Sequence, residues 1–270
     1  METTMLGDYL KDRRSKLDPA AFGFSLTRRR TPGLRREEVA QRANVSATWY
    51  TWLEQGRGGT PSADVLDRLA YALTLTEVER EHLFLLAQQR PPQVQFREAE
   101  RITPQLQRVL DSLDCSPALV RTAAWDVIAW NRAAATFMGD YGALAPNERN
   151  ILRLMFTDPG AKMRMLEWEK EARNTVAAFR AETVRAGASE RVTALVDELS
   201  RSSEAFAALW RSHDVRSFGS GTKLMRHRVA GLVTFEYSSF AVDGRPDLAL
   251  VIFTPATPDD AQRIKSLLAT

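Results

Sequence analysis

Cysteine is almost absent from this chain. Cys115 is the only one in 270 residues, so neither an intrachain disulfide nor a cysteine-based zinc site can form; its expected role is that of a small buried hydrophobe. Histidine is nearly as scarce, with only His82, His213 and His227, and a metal centre is not expected. Common enzyme signatures are missing too. There is no H-E-x-x-H, no Walker A loop and no G-x-G-x-x-G, and Gly219-Ser220-Gly221 is not a nucleophile elbow. The longest apolar run, Leu248 to Phe253, is far too short to span a bilayer, and no signal-peptide pattern opens the chain. These gaps point to a cytoplasmic, non-enzymatic protein with no cofactor and no membrane partner.

Net charge is also small. Lysine and arginine number 37 against 34 acidic residues, leaving +3, a balance that does not by itself argue for a nucleic-acid partner. Residues 1–90 hold fourteen basic and twelve acidic residues, so what matters is where the basic ones gather. They gather in the stretch from Arg28 to Gly59, RRRTPGLRREEVAQRANVSATWYTWLEQGRGG, where five arginines without an intervening acid lead into two short helices joined by a tight turn.

This order is the sequence form of a helix-turn-helix that reads DNA. Val39, Ala40 and Ala43 give the first helix a buried stripe, Asn44 suits a left-handed turn residue, Ser46 an N-cap, and Gly56 a C-terminal stop. Val45, Tyr50 and Leu53 share the inner face of the second helix. Ser46, Ala47, Thr48, Thr51 and Trp52 are left facing out as candidate base contacts, although aromatics on a small domain usually fill its core, which keeps Trp52 open between the two roles. A threonine can bond a base edge and its methyl can touch thymine. Arg35, Arg36 and Arg57 are placed for phosphates, which fix register without reading sequence.

The segment TPGLRREEVAQRANVSATWYTWLEQG resembles the Xre-type regulators and, within them, the MmyB-like transcription regulators. Asn44 stands where that family more often has glycine, and asparagine tolerates the same conformation. In phage-repressor-like relatives the start of the second helix reads bases, which by position implies Ala47 and Thr48, with Thr51 and Trp52 further along. Later segments carry the resemblance over nearly the whole second half: WDVIAWNRAAATFMGDY, NERNILRLMFTDP, LWRSHDVR and SGTKLMRHRVAGLVTFEY. The resemblance implies a PAS-like domain, with fatty acids of medium to long chain as the associated ligand class.

Periodicity gives the rest of the layout. Helices are expected over Leu6 to Leu17, Ser62 to Leu73 and Thr76 to Ala87, the last opened by a Thr76/Glu79 capping box. Pro91 to Thr103 is polar and proline-led and reads as a linker. Beyond it, Ala118 to Arg121 and Trp125 to Trp130 form a hairpin. A helical middle follows, in which Met165, Trp168, Ala172 and Phe179 recur at helical spacing. Strands return at Thr222 to Val229, Leu232 to Val242 and Leu248 to Thr254. The expected fold is thus multi-domain: an all-α five-helix domain over residues 1–90, a linker over 91–103, and an α+β PAS-like domain with an antiparallel sheet over 104–270.

A sheet with helices over one face leaves room for a ligand between the layers. The apolar residues expected there are Trp130, Phe137, Met138, Leu154, Phe156, Phe179, Phe206 and Trp210. A carboxylate at the mouth needs a donor; Asn131, Arg132, His213, Arg216, Arg226 and His227 are available, with His213 and Arg132 preferred because each ends an aromatic-rich element. The expected partners are an inverted-repeat DNA operator, a second copy of the chain and a small apolar ligand such as a fatty acid. The alternative is a second domain that recognises another protein and holds no small molecule.

Overall fold

The computed structural model describes residues 2–27, 29, 32–92, 102–185 and 190–269, and the chain divides into two compact units after Pro92. Arg28, Arg30 and most of the expected linker lie outside the described residues. The first unit holds α1 (Glu2–Ser15), α2 (Arg36–Arg42), α3 (Ala47–Glu54), α4 (Ala63–Ala72) and α5 (Glu77–Gln88), with a 3-10 turn at Pro19–Phe22 between the first two. Leu10, Val39, Tyr50, Leu53, Leu66, Leu69 and Leu83 meet in one core. The starts of α3, α4 and α5 are set locally. Ser46 Oγ accepts from the Trp49 amide, Ser62 from Val65, and Thr76 and Glu79 close a capping box. Asn44 adopts φ 51° in the turn between α2 and α3. Where α1 crosses α3, a Cβ on Gly7 would lie 2.2 Å from the Glu54 carbonyl oxygen, so only glycine permits that approach.

The second unit begins with α6 (Pro104–Asp111), capped by Thr103. It continues through β1 (Ala118–Thr122), β2 (Val127–Trp130), α7 (Arg132–Met138), α8 (Ile151–Thr157), α9 (Ala161–Arg164), α10 (Trp168–Arg185), α11 (Glu190–Ser202) and α12 (Glu204–Arg211). Three long strands follow, β3 (Ser220–His227), β4 (Gly231–Val242) and β5 (Arg245–Pro255), and then α13 (Pro258–Leu268). The sheet is antiparallel throughout, in the order β2-β1-β5-β4-β3. Side chains alternate across it. Leu119, Val251, Phe253, Phe235 and Met225 join the main core with the helical middle, whereas Ala118, Val120, Leu250 and Ile252 face a smaller cluster built on Leu110 of α6.

Three helices, α6, α7 and α13, were not expected from periodicity; each spans only about two or three turns, too few for the pattern to stand out. Two further differences concern the core. Trp125 was expected in a strand, but strand β2 starts at Val127 and Trp125 sits in the hairpin corner at φ 64° with its ring fully buried. Met165 was expected within a helix with Trp168; instead it ends α9 and forms an isolated bridge to Met225, laying α9 along strand β3.

Candidate DNA interface and ligand cavity

Helix α3 presents a narrower outward face than its periodicity suggested. Thr48 is exposed and Trp52 is 49% exposed, and the spacing of four residues puts them in one row with exposed Gln55 at the helix end. Gln55 was missed because it stands at the cap. The other expected readers are partly committed. Ser46 Oγ holds the Trp49 amide, Thr51 Oγ1 donates to the Ala47 carbonyl at 2.8 Å, and Ala47 leans on the core. Val45, Tyr50 and Leu53 pack inward as expected.

The arginines divide in the same way. Arg35 and Arg57 have exposed side chains. Arg36, expected at a phosphate, donates through Nε to Glu54 Oε2 at 2.6 Å, while Arg14 of α1 donates through Nε to Glu54 Oε1 at 2.6 Å and through Nη1 to the Leu34 carbonyl. The Glu54 carboxylate is 1% exposed, and without Arg14 and Arg36 it would be an unpaired buried charge. Burial alone would raise its pKa; the two guanidiniums outweigh that and hold it below the ordinary carboxylate range. Arg36 is therefore a strut between α2 and α3 as well as a surface cation. Arg29 is likewise turned to protein: it grips Glu38 with both Nη atoms and caps the Ser25 and Gly33 carbonyls.

In the second unit a cavity of about 270 Å³ opens between the sheet and the segment from α7 to α9. Leu119, Leu144, Ile151, Leu154, Val251 and Phe253 give it aliphatic and aromatic walls, and four of the chain's seven methionines, Met138, Met155, Met165 and Met225, complete them. Tyr141, Asp140, Asp158, Arg164 and Lys223 supply its polar atoms. Burial pushes the Tyr141 phenol up to about 12, which keeps it a neutral hydrogen-bonding group. Arg164 is paired with Asp158 at the rim. Lys223 is 9% exposed, and its ammonium lies 3.4 Å from Glu171 Oε2. Burial lowers its pKa, against the pull of Glu171.

Met138 and Leu154 are the residues of the expected ligand set that line this cavity. The large aromatics pack on one another instead: Phe156 meets Phe206 at 5.2 Å between ring centroids, Phe206 stacks on Trp210 at 5.9 Å, and Trp210 reaches Phe179 at 6.1 Å. Phe137 is held between Phe235 and His227, and Trp130 against Tyr141. Rings packed on one another edge to face, tilted or stacked make solid core. The polar candidates are also spent elsewhere. Asn131 is buried, with its amide oxygen capping Ala134 and accepting from the Ala118 amide while its nitrogen serves three carbonyls from Leu110 to Ser116. Arg132 is exposed and donates to the Leu268 carbonyl. His213 is exposed at φ 58°, just past the end of α12. His227 Nδ1 accepts from the Val229 and Ala230 amides of the next turn. Arg216 bonds Asn174, and Arg226 faces away from the core. Lys223 and Arg164 gave no sequence signal, because neither belongs to a motif that sets it apart from the cations near it, Arg226 and Lys162.

Residues 102–267 match the family of the MmyB-like transcription regulator ligand binding domain, and residues 5–83 match a helix-turn-helix domain family. No curated protein matches the chain. No helix among the described residues is long and apolar enough to cross a membrane.

Proposed function

The chain belongs to the MmyB-like transcription regulators, a DNA-binding domain joined to a ligand-binding one, and on that premise we propose a cytoplasmic homodimer whose operator affinity is set by a fatty acid. The DNA-binding domain occupies residues 1–90, followed by a linker to residue 103, and the PAS-like ligand domain occupies residues 104–270. Two strands, helices and then three strands support the PAS-like reading. The observation that carries the ligand assignment is the cavity, whose aliphatic and methionine walls include a few charged groups, the composition an acyl chain with one anionic end requires.

A dimer reading an inverted repeat would place its half-sites about 34 Å apart, one turn of DNA. Within each half-site Thr48 and Trp52 face bases and Arg35 and Arg57 meet phosphates, with Arg36 available beside them. Arg57→Ala should weaken binding to all sequences alike and lower the salt slope by about one. Thr48→Ala should change preference at a single base position by about 1–3 kcal/mol at most. Anisotropy titrations over a range of salt, with operator variants, read both effects, and a change of sequence preference in Arg57→Ala would reverse the division of roles.

Ligand control is tested by the same titration with and without saturating decanoate. The ligand can shift affinity only by as much as it distinguishes two arrangements of the dimer, typically about 5- to 150-fold. An operator affinity that ignores a fatty acid shown to bind would remove the regulatory half of the proposal.

A further inference from the structure

Resting on the reading of the cavity as a fatty-acid site, we infer that Lys223 is the anchor of the ligand's carboxylate and that binding takes this lysine away from Glu171 at the start of α10. Lys223 is nearly fully buried and lines the cavity. An ammonium carries three donors, yet among the described residues the only polar partner of Lys223 is Glu171, in a single contact at 3.4 Å. That is long for a charge-assisted hydrogen bond, which settles nearer 2.8 Å. The rings of Phe218, 5.9 Å away, and Tyr237, 5.5 Å away, lie beside it. Such rings favour a cation but satisfy no N–H. Lys223 thus has donor capacity to spare on a cavity wall.

The geometry also says from which side an anion can come. Glu171 does not line the cavity; with Phe218 and Tyr237 it borders a separate cleft. Phe218 stacks on Tyr237 at 4.9 Å and stands between the two spaces. A carboxylate on an acyl chain lying along Met225 and Val251 approaches Lys223 from the cavity, which Glu171 does not line, so the two acids compete for one ammonium. The other cation at the cavity, Arg164, already holds Asp158 and is about a third exposed, so it has water and a close partner in place of unmet need. Since Glu171 sits in the first turn of α10, release of its partner alters the charge at the head of the longest helix of the domain.

Calorimetric titration of the full-length protein with decanoate and with 1-decanol, which has the same chain without the charge, tests the assignment. The wild type should bind the acid about tenfold or more tighter than the alcohol, the worth of a charged hydrogen bond. Lys223→Met should abolish that preference while still binding decanol, which reports an intact cavity. Because this variant leaves Glu171 buried alone, the double variant Lys223→Met/Glu171→Gln, which removes both charges, serves where the single one fails to fold, and it must lose the preference too. Glu171→Gln alone should tighten decanoate and leave decanol unchanged. Retention of the acid preference without Lys223 overturns the anchor, and unchanged or weaker decanoate binding in Glu171→Gln overturns the exchange, both leaving the cavity reading intact. If the wild type binds neither compound, the fatty-acid reading itself fails and the anchor with it.

Discussion

Glu54→Ala should cost the N-terminal domain about 3–5 kcal/mol, the usual penalty for leaving a buried charge without its partner, and should abolish operator binding at ordinary temperatures. The carboxylate joins three helices. Arg14 reaches it from α1, Arg36 from α2, and it belongs to α3. Arg14 is itself only 7% exposed, so its guanidinium would keep the Leu34 carbonyl and lose its counter-ion. Domains of this size have stabilities of only about 5–15 kcal/mol, so such a loss removes a large share of the total and, at the low end of that range, leaves a large unfolded fraction. Hydrogen exchange on the full chain would show it as lost protection over residues 32–88, with the C-terminal domain unaffected. A loss below about 1 kcal/mol would mean that the ion pairs are worth no more than surface ones. The pH dependence has a definite sign. The folded pKa of Glu54 is depressed, so its contribution is fully present above the unfolded value, near 4.3, and is withdrawn as pH falls through the folded value. The N-terminal domain should therefore lose stability on the acid side, and Glu54→Gln should flatten that part of the profile.

Trp125→Ala should destabilise the C-terminal domain by a similar amount, about 3–5 kcal/mol for a large aromatic removed from a core. The indole is fully buried, packs edge-on against Phe179 at 5.7 Å and lies 4.8 Å from Phe218, and its Nε1 donates to Glu182 at 2.7 Å. Arg121 grips the same carboxylate with both Nη atoms and lies over the indole at 4.4 Å. A residue this bulky at φ 64° is held there only because the surroundings determine it. Loss of the ring empties the centre of that cluster and frees Phe218, so decanoate binding should weaken together with stability. Denaturant unfolding followed by circular dichroism measures the first and calorimetry the second. Full decanoate affinity in a destabilised Trp125→Ala would show that Phe218 keeps its place without the indole.

The N-terminal domain was largely legible because its determinants are local. Ser46, Ser62 and Thr76 cap the helices they immediately precede, and Asn44 sits in the turn its φ requires. The Arg36–Glu54 strut was not, since its members are 18 residues apart and nothing in either one's neighbourhood names the other. In the C-terminal domain the strands and their succession along the chain could be read from alternation and turn residues, but the pairing of β1 with β5, which joins them into one sheet, could not. The cavity could not. Composition draws attention to Phe179, Phe206 and Trp210 because they are large, but large rings are what a close-packed core uses best, and the space left over is bounded by smaller, more flexible side chains. Lys223 is invisible for a related reason: alternation assigns it only to a face of strand β3, and whether that face meets water or a hollow depends on α9 and α10, which lie far earlier in the chain.

The methionines around the cavity have a further effect. An unbranched thioether has three rotatable bonds and no strongly preferred shape, so Met138, Met155, Met165 and Met225 can yield to a bend or a few extra carbons by turning their torsions. A wall of that kind discriminates weakly between saturated and unsaturated tails or between neighbouring lengths. With a fatty acid as the proposed ligand, such a wall would tune the protein to a pool of acyl chains, and it would report how much of the pool is present more readily than which member fills it.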